Sequence, residues 1–498
     1  MAKTLGMLAD LIEGAEVIGS RDTEINDIEH DSRKATPGTL FACIVGAHVD
    51  GHDFIPQARE KGAVAIITDN ENAPMPAGMD VLLVPQLSEA LKVIVPYFYD
   101  YPAQKMRVIG ITGTNGKTSI SYMIRAMLRK MGFRVGLIGT IQIMIEDQVL
   151  PVHNTTPDVV ELQHTMAMML EKNMDYVVME VSSHALDQNR VAGVEFDTAV
   201  FTNLTQDHLD YHKTFENYRL AKAKLFDMVG SSQAVKNGKT AVVNLDDEAG
   251  EFMLQHASCR KFTYGINTDA HLKAENIQVL ADGTKFDIRH KFGVLPLDLK
   301  ITGIFNVYNV MAAVGAAMTE GVPLPIIKAA MEEFSGVPGR FELVRGGQDF
   351  AVIVDYAHTP DGLENVINTA RKICKKRIIT VFGCGGDRDR TKRPIMGRIA
   401  ARLSDIIIAT SDNPRTEDPA FILSQVEAGV EEACGDKQHE AIIDRRDAIF
   451  RAVGLAKAGD IVVIAGKGHE DYQILKDKTI HFDDKEVAME AIRAKMGE

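Results

Sequence analysis

MRVIGITGTNGKT, residues 106–118, runs from β-branched apolar residues into a glycine-rich loop that closes on Lys117 and Thr118. Read as strand, loop and helix start, it uses Gly113 and Gly116 to turn the backbone, so that the N–H groups through Thr114, Asn115 and Ser119 can face phosphate oxygens. A helix opening at about Thr118 adds its positive dipole end. Lys117 would reach the outer phosphates, and the Thr118 hydroxyl is of the kind expected on a Mg²⁺ bridging the β- and γ-phosphates of ATP. The strict pattern G-x-x-x-x-G-K-[ST] needs Gly at 111, where this chain has Ile111 and places its glycines at 110 and 113. The flanks still favour nucleotide binding over an ordinary strand-to-helix turn. RVIGI reads as a strand, and Ile120, Met123, Ile124, Met127, Leu128 and Met131 recur at helical spacing.

Length and composition bound the rest. A chain of 498 residues accommodates about three domains, and 45% hydrophobic with 25% charged residues describes a globular protein with ample core. No run approaches the ~18 apolar residues of a spanning helix, and the opening MAKTLGMLADLIEGAE meets acids too early for a secretory signal. The expectation is a cytoplasmic protein without membrane insertion. Five scattered cysteines, with no C-x-x-C, indicate buried free thiols rather than a disulfide framework or a zinc knuckle. A net charge of −14 opposes a general nucleic-acid surface.

Residues 1–102 alternate short apolar runs with amphipathic stretches, as a small α/β domain would. Its polar loops, around Asp31, Ser32 and Arg33 and around His48 and Asp50, read as solvated turns. YDYPAQK looks like a linker into a nucleotide domain spanning 103–336. There DYVVMEVSSH sets Glu180 at the carboxyl end of a strand, the sheet edge where a Mg²⁺ ligand belongs. TNLTQDHLDYH offers Asp207, His208, Asp210 and His212. Zinc lacks a third soft ligand there, which leaves a Mg²⁺-linked role for His208 or a solvated loop. Ser182, Ser183 and His184 are consecutive and cannot all face one another on a strand, so substrate-binding hydroxyls fit better than a hydrolase. Lys222 and Lys224 read as a solvated helix face, and Asn306 and Asn309 as helix caps or readers of adenine edges.

After the linker-like SGVPGRFE, residues 337–498 restart strand and helix alternation with AVIVDYAHTP, RIITVFGCGGDRDR, DIIIATSDNPR and DIVVIAGKGHE. Four buried strands with intervening helices make a doubly wound, Rossmann-like sheet, and loops that follow its strands gather on one edge.

With these strings in order, the chain resembles the Mur ligases, ATP-dependent amide-forming enzymes of peptidoglycan precursor synthesis. DSR and GTLF, GTNGKT, NTTPD, MEVSSH, TNLTQDHLDYH, GIFNVYN, PGRFE, DYAHTPD, GCGGDRD, DNPR and GKGHED carry the likeness along the whole length. The resemblance implies three α/β domains: a UDP-muramoyl-binding domain, an ATP-binding domain and an amino-acid-binding domain. It points to the branch that adds meso-diaminopimelate to UDP-N-acetylmuramoyl-L-alanyl-D-glutamate through an acyl phosphate. It also implies that Ser32 holds the uridine end, and that Asn154, Thr155, Thr156, Ser182, Gln188 and Arg190 hold the muramoyl-dipeptide. ATP would lie on Gly113–Ser119 with Asn306, Arg340 and Asp355. Thr118, Glu180, His208 and Lys222 would hold Mg²⁺, Lys222 as an N6-carboxylysine formed with CO₂, and Lys117 and Arg340 would stabilise charge. Arg388, Asp412, Asn413, Pro414, Arg415, Gly466 and Glu470 would hold diaminopimelate, with Arg415 gripping the distal carboxylate that lysine lacks. A monomer working on small molecules is expected. The rivals are a lysine-adding member, a folylpolyglutamate-synthetase-like ligase, and a nucleotide-gated binding protein without turnover.

Overall fold

The computed structural model describes residues 3–46, 49–73, 78–152, 154–205, 207–231, 235–280 and 282–497; His48 and the side chain of Asp210, both singled out above, lie outside them. The chain gathers into two compact units, Met1–Lys273 with Met311–Ile327, and Ala274–Val310 with Lys328–Glu498. No helix among the described residues is long and apolar enough to cross a membrane.

The first unit holds an N-terminal and a central sheet. The N-terminal sheet runs in the order Glu16–Ile18, Asp80–Leu83, Ala65–Thr68, Thr39–Ala42, Asp27–Glu29, parallel except at the first pair. In the central sheet, Val135–Ile138, Tyr176–Glu180, Arg107–Thr112, Thr198–Phe201, Thr240–Asn244 and Arg260–Gly265 are neighbours in that order and all parallel. Their residues are almost uniformly buried, as expected for strands covered by helices on both faces. The glycine-rich stretch therefore leaves a strand inside the sheet, and the register sets Glu180 opposite Ile111 and Phe201 opposite Thr112.

The helix after the loop spans Lys117–Lys130. Ile120, Met123, Ile124, Met127 and Leu128 form its buried stripe, each worth about 2 kcal/mol of burial. Met131, the last member of that spacing, instead follows the helix and is 41% exposed. The turn that ends the helix carries it out of the stripe.

The second unit contains the hairpin Gly283–His290 with Gly293–Leu299 and a C-terminal sheet. The order of that sheet is Glu342–Leu343, Ala351–Asp355, Ile461–Ala465, Ile378–Cys384, Ile406–Ser411, Gln438–Ile442, parallel apart from the first, edge pairing. The strands that end in DYAHTP, GCGGDRD, DNPR and GKGHE are thus contiguous, and their following loops share one sheet edge. The mixed α/β architecture, with N-terminal, central and C-terminal domains, is the one expected from the sequence.

Candidate active site

Gly113 has φ of +146°, and a Cβ built there would sit 1.8 Å from Thr202 Oγ1. No side chain fits, because the end of the neighbouring strand crosses close behind the loop. Asn203 completes the brace: Asn115 N–H donates to Asn203 Oδ1 at 3.0 Å, and Thr114 N–H to the Asn203 carbonyl at 2.8 Å. Gly116, with φ of 90°, opens the helix. The Lys117 ammonium curls back onto the carbonyls of Thr114 and Gly113, 2.8 and 3.0 Å away. Backbone turn, helix N-terminus and lysine together form the kind of concavity that accepts phosphate.

Glu180 is 1% exposed and wholly engaged. Its Oε2 accepts from Thr118 Oγ1 at 3.0 Å, and its Oε1 from Thr140 N–H at 2.9 Å. The Thr140 hydroxyl lies 3.0 Å from Oε2 and 3.1 Å from Thr155 Oγ1. Thr118 and Glu180, predicted to share a metal, therefore meet directly, and their donor set of hydroxyl and carboxylate oxygens suits a hard cation such as Mg²⁺. Thr140 was not anticipated from the sequence; its position just past the strand of RVGLIG, residues 134–139, was the available signal.

Lys222 corrects the expectation of a solvated face. It is 1% exposed, donates to the Gly113 carbonyl at 2.8 Å, and lies 4.6 Å from the centre of the Tyr218 ring. Burial, with the Lys117 charge adding to it, pushes its ammonium well below the ordinary lysine value. Lys224 does face solvent, paired with Asp187. His208, at φ of 52°, places its ring 4.8 Å from that of His184 and 6.2 Å from that of Tyr218, on the Lys222 side of the loop. His212 is turned inward, its Nε2 3.0 Å from the buried Ser183 hydroxyl.

Thr156 and Ser182 also come together. Thr156 Oγ1 donates to the Glu180 carbonyl at 2.9 Å and accepts from Ser182 N–H at 3.0 Å, while Arg190 reaches the Thr156 carbonyl at 3.2 Å and Gln188 Oε1 at 2.9 Å. Asn154 is exposed at the start of the same loop. Ser32, read as part of a solvated turn, is buried and donates to Gln57 Oε1 at 2.5 Å, because the turn folds over the helix Ile55–Glu60.

In the second unit, Asp355 ends its strand and accepts from the backbone N–H groups of Phe341 and Ala357 at 2.7 and 2.9 Å. Burial pushes its carboxyl up. The Arg340 guanidinium lies 5.4 Å from the Tyr356 ring centre, and its Nε is buried without a hydrogen-bond partner among the described residues, as is His469 Nδ1. Asn306 donates to the Thr302 carbonyl at 2.9 Å and accepts from the Asn309 amide at 3.1 Å.

The DNPR and GKGHE loops clasp each other. Asn413 Nδ2 donates to Glu470 Oε2 at 2.8 Å, and the buried Lys467 ammonium sits 3.1 Å from that oxygen and 3.3 Å from Asn413 Oδ1. Gly466, at φ of +125°, lets Asp412 approach, since a Cβ there would lie 2.6 Å from Asp412 Oδ2. Arg415, at φ of 53°, donates to the Gly386 carbonyl at 2.9 Å. A Cβ on Gly385 would meet both Arg415 Nη1, at 2.8 Å, and Arg388 Cγ, at 3.8 Å, so both side chains pass close to this glycine. Guanidinium and carboxylate side chains on these loops are the kinds of group that a zwitterionic amino acid needs.

Residues 24–99 match the Mur ligase family, catalytic domain; 111–317 the Mur ligase middle domain; and 339–468 the Mur ligase, glutamate ligase domain. A Bacillus cereus protein named UDP-N-acetylmuramoyl-L-alanyl-D-glutamate–2,6-diaminopimelate ligase is 48% identical over 492 residues, 99% of this chain and 99% of that one. A solved structure of a ligase of that name has a TM-score of 0.70 at 32% identity, covering 100% of both chains. The MurF ligase of Thermotoga maritima in complex with ADP shares the fold, with a TM-score of 0.63 at 17% identity over 94% of this chain and 96% of that one.

Proposed function

The chain belongs to the Mur ligase family, and from that premise we propose that it is the ATP-dependent ligase joining meso-2,6-diaminopimelate to the D-glutamyl γ-carboxylate of UDP-N-acetylmuramoyl-L-alanyl-D-glutamate. The observation that carries this reading is the likeness, end to end, to a ligase named for that reaction. It is an amide-forming enzyme of peptidoglycan synthesis with ATP as co-substrate.

A carboxylate resists attack by an amine because its oxygen leaves poorly, so it must be activated. The amides of Gly113–Ser119 and the Lys117 ammonium would hold the triphosphate so that the γ-carboxylate attacks the γ-phosphorus in line, releasing ADP and leaving an acyl phosphate. The diaminopimelate amine, having lost its proton, then attacks the carbonyl carbon. The tetrahedral intermediate expels phosphate and leaves the amide.

Thr118 and Glu180, with His208 and a carbamylated Lys222, would hold Mg²⁺, which when bound neutralises charge on the transferring phosphoryl group. The buried amine of Lys222 supports the carbamate: only a neutral amine adds CO₂, and the product sets a negative charge beside the Lys117 cation. Asn306, Arg340 and Asp355 are assigned to ATP, and the buried Arg340 Nε, without a hydrogen-bond partner among the described residues, suits an anionic ligand. Ser32 is assigned to uridine, and Asn154, Thr155, Thr156, Ser182, Gln188 and Arg190 to the muramoyl-dipeptide. Arg388 and Arg415 would take the distal carboxylate of diaminopimelate, with Asp412, Asn413 and Glu470 around its ammonium and Pro414 and Gly466 shaping the loops. These assignments go with domains bounded at 1–102, 103–336 and 337–498, a cytoplasmic location and a monomeric state.

The test is ADP release with the UDP-muramoyl-dipeptide present. Release that depends on diaminopimelate and yields one new amide per ADP is expected. Release indifferent to diaminopimelate, or equal turnover of lysine, defeats the proposal.

A further inference from the structure

Arg445, the first residue of the helix Arg445–Leu455, is a guanidinium with no exposed surface, far in sequence from every residue assigned above. Its Nε and Nη2 donate to the two carboxylate oxygens of Asp484 at 2.7 and 2.6 Å, and Asp484 is equally buried at the start of the helix Asp484–Met496. That two-pronged pair fixes the plane of the fork. Two further donors go to main-chain carbonyls: Nη2 to Ala465 at 3.1 Å, and Nη1, more loosely, to Ser411 at 3.4 Å.

Ala465 and Ser411 are the last residues of their strands. The strand Ile378–Cys384 runs between them, pairing Phe382 with Ala465 and Cys384 with Ser411. The next residues along the two chains are Asp412 to Arg415 on one side and Gly466 to Glu470 on the other. One buried cation is therefore bonded to both strand ends at the point where the two loops depart. Arg445 Nη2 is also 3.7 Å from where a Cβ on Gly466 would lie, the position that admits Asp412.

The geometry points to Arg445 as a positioning residue for amino-acid selection: by tying the ends of these two strands it fixes the separation between Arg415 and Glu470. This rests on the assignment of the two loops to diaminopimelate. A site that tells diaminopimelate from lysine must hold its carboxylate-binding group at a set distance from its ammonium-binding group. A displacement of about 1 Å at either end can cost up to a hundredfold. The Asn413–Glu470 hydrogen bond joins the loops beyond the strands, but it involves groups the substrate itself would engage; Arg445 holds them from beneath.

The experiment measures steady-state kinetics of the full chain with diaminopimelate and with lysine, for the wild type, Arg445→Lys, the paired Arg445→Met/Asp484→Leu, and Arg415→Ala. Lysine at 445 keeps the charge and loses the fork. The paired variant removes both charges together and so spares the fold an unpaired buried ion. We expect KM for diaminopimelate to rise about tenfold in both Arg445 variants and the preference over lysine in kcat/KM to fall about tenfold, while KM for ATP stays within about twofold. KM and the preference do not depend on how much enzyme is folded, so the paired variant supplies the result if Arg445→Lys accumulates poorly. Wild-type KM and preference, with only a lower melting temperature, overturn the proposal. If Arg415→Ala also uses diaminopimelate normally, the site assignment itself falls; if Arg415→Ala loses it and the Arg445 variants do not, only the role of Arg445 does.

Discussion

Lys222 and Lys224 have identical chemistry two positions apart on one helix, yet one is buried under the phosphate loop and the other is in water. Two residues advance a helix by about 200°, so the pair cannot share a face, and composition alone does not say which member turns inward. Lys222→Ala is expected to lower turnover about a hundredfold or more and to regain part of it when a short carboxylic acid is added to stand in for the carbamate; full activity without rescue would exclude the carbamate. Thr140 acts on Glu180 in a way a valine could not. Thr140→Val keeps the shape and the backbone N–H bond but removes a hydroxyl bonded to a buried carboxylate, a loss of about 1.5–3 kcal/mol. The Mg²⁺ concentration for half-maximal activity should rise about tenfold; an unchanged Mg²⁺ titration would make Thr140 a packing residue.

At the scale of elements, the strand Asp27–Glu29 meets the helix Val159–Glu171 through His164. The imidazole stacks on Tyr99, with ring centroids 5.6 Å apart and planes 5° from parallel, and its Nδ1 is 3.8 Å from Glu29 Oε1. The Tyr99 hydroxyl donates to Asp27 at 2.5 Å. The Glu29 carboxylate raises the His164 pKa above its usual 6.5, against the opposing effect of burial. A raised folded-state value means that protonation favours the folded form. The contribution is complete below pH 6.5 and disappears as pH climbs through the higher folded value. Because His164 is 38% exposed, screening limits it to about 0.5 kcal/mol. The urea midpoint should fall slightly from pH 6 to pH 8, and His164→Gln should abolish that slope; a mutant with the wild-type slope would assign it elsewhere. None of this was legible in the sequence, since His164 looks like any polar residue of an amphipathic helix. The strand and helix after Met106 were legible, because β-branched residues and a four-residue apolar repeat are local signals. The Thr202 and Asn203 brace was not, because it comes from a strand adjacent in space and remote along the chain.

For the whole molecule, the mixed α/β architecture followed from alternating apolar runs, and the polar loops of the C-terminal sheet were correctly assigned to strand ends. Which buried polar groups pair, as in Arg445 with Asp484, depends on helices meeting over a sheet and leaves no local trace. Two compact units with separate cores should unfold separately: calorimetry is expected to show more than one transition, and a single transition with equal calorimetric and van't Hoff enthalpies would refute this. The pairing of Glu180 with Ile111 carries a last consequence. Successive side chains on a strand point to opposite faces, so deleting one residue within Tyr176–Met179 would turn the carboxylate toward the wrong side of the layer while leaving the ladder of amides able to form. Length is therefore negotiable in the surface connections of this enzyme and rigidly counted along that strand, where a well-folded protein could be silent for want of a single residue.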